Sequence, residues 1–298
     1  MQTIIIISAF NSYTLSSSIV NNEIILCLAS HLINPSYKEK PCRNTMKISY
    51  ELNPPKIVIG DHFDAFKLNQ ELQILLNRSS ELINLATGIH LTDSVLGIPR
   101  VSSVTAAGYI KNLGNRLKLS CSVRTRDRNF TSLCQFVTDA ILVGVESLLI
   151  LRGDEPADGQ KSSGLKPTSI LSILNDKKYD KAIHLNLSVP SKVYNRSLLE
   201  KKIEAKPHSW VTQLIASLSD LGEIVDIAKS FKIKVVACIM VPSDKNRRSA
   251  EIIGLDWNEY EKNPVDFIKE ASTMADEVLI SSPNSFRAGI ELLTKLGQ

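Results

Sequence analysis

From Met46 onward the sequence alternates short apolar runs with amphipathic stretches, unit after unit. That alternation constrains the fold more than any other feature. Alternating β and α segments specify a parallel sheet, and eight units in about 250 residues match a (β/α)8 TIM barrel. The spacing predicts strands at 47–52, 88–91, 117–123, 148–151, 182–187, 209–212, 234–240 and 277–280. Helices are expected at about 63–84, 102–113, 129–143, 168–174, 197–205, 220–231, 265–275 and 286–296. The segment after the seventh strand, with Lys245, Arg247 and Arg248, reads as a loop. A doubly wound sheet is the competing fold, but no GxGxxG follows the first strand, so a Rossmann dinucleotide site is not supported.

Residues 1–45 differ from the rest and are expected to form a poorly packed N-terminal extension, with a short β-hairpin as the alternative; 46–298 is the barrel domain. The apolar runs 4–7 and 24–28 are too short to span a bilayer. The first lysine or arginine is Lys38, which argues against a secretory signal. With 22% charged and 43% hydrophobic residues the chain is of ordinary globular composition. Its formal charge of +4 suits anionic small molecules at least as well as nucleic acid. Arg124, Arg126, Arg128, Arg247 and Arg248 lack the interleaved aromatics of a nucleic-acid surface. Five cysteines without a CxxC pair predict a reduced, cytoplasmic protein. The five histidines form no metal-ligating pair, so no metal is expected.

Ligands of α/β barrels are met at the carboxyl ends of the strands, and the residues there carry the chemistry. The fourth strand ends Leu151-Arg152-Gly153-Asp154-Glu155-Pro156, bringing a cation, a hinge and a carboxylate to one place; Pro156, Gly159 and Gly164 keep the next segment a loop. Alone, this reads more readily as a solvated turn. The first strand ends at Glu51, then Pro54-Pro55. A carboxyl facing the barrel mouth is partly desolvated, which raises its pKa toward the range of a proton donor; a surface glutamate is the plain alternative. Asp93 ends the second strand, and Arg124 to Asn129 form a charge cluster opening a helix. Gln213, after the sixth strand, offers donor and acceptor to a heterocycle edge or to a structural hydrogen bond.

Tyr50-Glu51-Leu52-Asn53-Pro54-Pro55-Lys56 resembles the first-strand signature of the methylenetetrahydrofolate reductases. The runs Arg126-Asp127-Arg128-Asn129, Ala140 to Val145 and Leu151 to Pro156 resemble that family's central block in order and spacing. Lys201 to Ala205 followed by Val211-Thr212-Gln213 is similar to its basic helix and Thr-Gln strand. The resemblance implies a flavoprotein oxidoreductase with FAD at the carboxyl face, passing electrons from NAD(P)H to methylenetetrahydrofolate or a related tetrahydropterin. It implies Glu51 as general acid, Asp154 as the anion beside the reacting rings, and Gln213 as a folate contact. It also implies Arg152, Gly153, Asp127, Asn129 and Lys202 as cofactor contacts, in a homo-oligomer. The chain departs from the family pattern at Leu52-Asn53, Ser122-Val123-Arg124, Val189-Pro190-Ser191 and Lys206, several of them where the family holds FAD. A flavin-free reductase, or a non-catalytic barrel partnering a methyltransferase or an electron-transfer protein, are the competing readings.

Overall fold

Strand β1, Ile48–Leu52, shows the rule that builds the barrel. Successive strand side chains point to opposite faces, so Ile48, Tyr50 and Leu52 join the outer core while Ser49 and Glu51 face the lumen. The computed structural model describes residues 46–57, 62–114, 117–155, 163–194 and 196–297, so the expectations for residues 1–45 and for Pro156 and Gly159 lie outside it. Strands β2 (Gly88–Leu91), β3 (Lys118–Arg124), β4 (Ser147–Leu151), β5 (His184–Val189), β6 (Ser209–Thr212), β7 (Lys234–Met240) and β8 (Glu277–Ser281) follow, each parallel to its predecessor. β8 pairs back onto β1 through Ile48 with Val278, Ser49 with Leu279 and Tyr50 with Ile280, closing an eight-stranded barrel. The (β/α)8 expectation holds.

The helices are α1 (Ala65–Leu82), α2 (Ser103–Lys111), α3 (Phe130–Val143), α4 (Pro167–Asp176), α5 (Arg196–Glu204), α6 (Leu218–Ser230), α7 (Asp244–Ile252), α8 (Pro264–Met274) and α9 (Phe286–Leu296). Their starts are written locally. Asp64, Asn129, Ser217, Ser243, Asn263 and Ser285 each accept a backbone N–H of the first turn. α7 replaces the expected loop after β7. Its inward positions are Asn246 and Ala250 rather than large apolar residues, so the helical period leaves no hydrophobic trace. Asn246 nevertheless anchors it, donating to the Val241 carbonyl and to Ser282 Oγ at 2.9 Å each. None of the described helices is long and apolar enough to cross a membrane.

Inside the barrel, side chains stack in layers of four from alternate strands. The even strands supply His90, Leu149, Val211 and Leu279 to one layer, and these four border hollows on both sides of it. Three are apolar and plug the axis; the fourth is a histidine. Toward the carboxyl end the lumen presents Glu51, Ser122, Ser188 and Cys238, and toward the amino end Ser49, Ser120, Asn186 and Val236. A lumen usually filled by branched apolar residues is here packed at one level and polar on either side.

Candidate functional site at the carboxyl mouth

The upper hollow, about 180 Å³, is floored by Leu149, Leu151, Val211, Cys238 and Leu279 and walled by Glu51, Asp93 and Asp154. Glu51 reaches it because its strand parity turns it inward, and Ser281 Oγ donates to its Oε1 at 2.8 Å across the β1–β8 seam. Burial pushes the Glu51 carboxyl up, and the Ser281 hydrogen bond offsets only part of that. Cys238, in the same hollow, is pushed well up by burial and by Glu51, so it is held as a thiol. His90 Nδ1 and Nε2 lie 2.8 Å from Ser120 Oγ and Ser122 Oγ, and burial lowers its pKa to about 4, leaving it neutral. Among the described residues no lysine lines this hollow.

One buried cation organises the rim. Arg124, 1% exposed, donates from Nη1 to the Ser94 carbonyl at 2.5 Å and from Nη2 to the Asp154 carbonyl at 2.6 Å. Its Nε lies 3.3 Å from Asp127. Asp93 accepts from the Arg124 backbone N–H at 2.9 Å and from Arg128 Nη1 at 2.7 Å, while Arg128 stacks 5.0 Å over Phe136. The loop thus held has positive φ at Ser94 (46°) and Leu96 (58°), a conformation that non-glycine residues adopt at a cost. The Leu96 N–H donates to Asp154 Oδ2 at 2.8 Å. Asp154 is therefore pinned through both its carbonyl and its carboxylate.

Glu51, Gly153 and Asp154 come together around the hollow. The other residues singled out from the sequence are placed around it differently. Gln213 is exposed at the end of β6 and its backbone N–H bonds to the Val189 carbonyl at 2.7 Å. Arg152 is exposed; its carbonyl accepts from the Arg126 N–H at 3.2 Å. Asp127 pairs with Arg124 and lies 3.7 Å from Arg128, and Asn129 caps α3 by accepting the Ser132 N–H at 2.9 Å. Lys202 on α5 donates to the Ser188 carbonyl, and burial lowers its pKa. Gly153 has φ +82°, and a Cβ there would lie 2.6 Å from Arg124 Nε, so the glycine makes room for Arg124. His90 is one of the lumen residues that sequence reasoning missed. Its signal is parity: Ile89 and Leu91 point outward, so the histidine between them must point in.

The fold and this mouth define a (β/α)8 barrel with an acid-bearing, apolar-floored hollow at its carboxyl end. No protein-family model matches the sequence, and no curated protein matches it. Among solved structures the chain is similar to deoxyribose phosphate aldolase from Aeropyrum pernix, described as a unique tetramer, at 11% identity and TM-score 0.53, over 85% of this chain and 90% of that one. It is also similar to an aldolase designated QR15, at 12% identity and TM-score 0.50 over 84% and 94% of the two chains. A third is 7,8-dihydropteroate synthase from Vibrio fischeri ES114, at 11% identity and TM-score 0.50 over 85% and 92%. At such identities the shared property is the barrel fold.

Proposed function

We propose that the protein is an oxidoreductase that reduces a methylene-tetrahydropterin, of the methylenetetrahydrofolate type, to its methyl form. The observation that carries this reading is the pair of unlike carboxyls on one hollow. Glu51 is half-buried, and desolvation raises its pKa, whereas Asp154 is exposed and fixed by the Leu96 N–H. Opening the five-membered ring of such a substrate requires a proton on a departing amine and leaves a cationic iminium. An acid whose pKa is raised serves the first need, and a fixed anion stabilises the second. The apolar floor of Leu149, Val211 and Leu279 suits a flat heterocycle and excludes water from it. A pterin compound is also what the dihydropteroate synthase neighbour is named for.

FAD would be the cofactor. Arg152 and Lys202 are cations at the carboxyl rim with no carboxylate within ion-pair distance among the described residues, which is the chemistry a diphosphate needs. When bound, the flavin supplies hydride transfer from NAD(P)H, work that side chains cannot do. The chain's own part is then to donate the Glu51 proton, present the Asp154 charge and hold the rim through Arg124.

Absorbance spectra of the protein with added FAD test the reading. Flavin bands that bleach with NADH or NADPH and recover with methylenetetrahydrofolate are expected. Glu51→Gln should abolish the recovery and leave the bleaching nearly intact. Loss of both half-reactions together would make Glu51 structural. Failure to take up flavin would move the reading to a flavin-free reductase or a partner barrel.

A further inference from the structure

The opposite end of the barrel carries a second hollow, about 130 Å³, that the proposed reaction does not use. It opens at the first residues of the strands: Lys118 of β3, Ser147 of β4, His184 of β5, Ser209 of β6, Lys234 of β7 and Glu277 of β8. The amino end of such a barrel is ordinarily a packed stability face. Here small hydroxylic residues replace the packing layer, and Leu149, Val211 and Leu279 form its ceiling.

Three observations point to a ligand. Asn186 is 6% exposed and lines this hollow, and its Oδ1 has no hydrogen-bond partner among the described residues; a buried acceptor left unpaired is destabilising. The acids of the rim are engaged: Glu146 pairs with Lys118 at 2.9 Å, Asp276 accepts the Val235 N–H at 2.9 Å, and Glu277 accepts from Ser49. The remaining lysines, Lys47 and Lys234, have no carboxylate within ion-pair distance among the described residues; Lys234 Nζ instead lies 3.4 Å from Nε2 of His208. His208 stacks on His184 with ring centroids 3.7 Å apart. Burial first, then His184 and Lys234, lower its pKa to about 4 against the opposing pull of Glu146 and Asp276.

We propose that this basal hollow is a second binding site, for a small oxyanion carrying a hydroxyl group, of the phosphate-monoester type. The oxyanion would meet Lys234, Lys47 and the edges of the stacked imidazoles at the rim. The hydroxyl would donate to Asn186 Oδ1 at depth, beneath the apolar ceiling. The site is separated from the mouth by the plugged layer, so it does not depend on the reaction proposed there.

The test is direct and needs no activity. Imidazole nitrogen resonances of the full chain are followed by NMR at neutral pH during titration with inorganic phosphate and, separately, with glycerol phosphate. Saturable shifts at His184 and His208, with exposed His62 unmoved, are expected. Glycerol phosphate should bind at least tenfold tighter than inorganic phosphate, because it alone brings a carbon-bound hydroxyl to Asn186. Lys234→Gln, a surface change that leaves the barrel intact, should weaken both at least tenfold. Unsaturable shifts, shifts equal at His62, unchanged affinity in Lys234→Gln, or equal affinity for the two probes would each overturn the proposal.

Discussion

At the scale of single residues, Gly153 and Arg124 are one device. The glycine has positive φ, and the space where its Cβ would stand is filled by the arginine side chain, which ties the Ser94 and Asp154 carbonyls. Gly153→Ala would add left-handed strain and displace a buried cation from both carbonyls. We expect a loss on the order of 2–4 kcal/mol, measured as a shift in the urea midpoint. An unchanged midpoint would mean that Arg124 relocates freely. Gly153 is visible in the sequence as a hinge beside a carboxylate, but not as a partner of Arg124. Nothing local links positions 124 and 153; only the register of β3 with β4, which pairs Arg124 with Leu151, brings them together. His90 is hidden for another reason. A histidine between two apolar residues becomes informative only once the strand's inward parity is known.

At the scale of elements, the packing of α9 on β1 depends on Gly289. A Cβ there would overlap the Tyr50 hydroxyl and stand 2.5 Å from its ring edge. Tyr50 is itself wedged edge-on against Phe286 at 5.7 Å. Gly289→Ala should therefore cost about 1–3 kcal/mol through overpacking. Combining it with Tyr50→Phe should recover part of that, because the nearest atom is gone. A double-mutant cycle with zero coupling would show that the two do not meet. The strands and most helices are legible in the sequence because they repeat apolar residues at periods of two and 3.6. α7 is not, because it faces inward with Asn246 and outward with charge, and only its Ser243 cap marks it.

At the scale of the whole molecule, burying Glu51 couples stability to pH. Its folded pKa is raised above the unfolded value, so its contribution to stability is full below the ordinary glutamate range. That contribution is lost as pH rises through the folded pKa, because the barrel must then hold a buried carboxylate. Glu51→Gln keeps an acceptor for Ser281 and cannot ionise. Its urea midpoint relative to wild type should therefore rise as the pH is raised above the ordinary glutamate range, as the wild type loses ground. Parallel curves over that range would place the Glu51 carboxyl in water.

The hydrogen bond from Ser281 to Glu51 joins residues 230 positions apart, across the one seam where the first strand meets the last. Closing so long a loop comes late in folding, since its entropy must be lost before its contacts exist. Until β8 docks on β1, Glu51 is an ordinary solvated glutamate. The raised pKa of Glu51 is thus a marker of barrel closure: in a refolding experiment, the shift should appear together with the last structural phase.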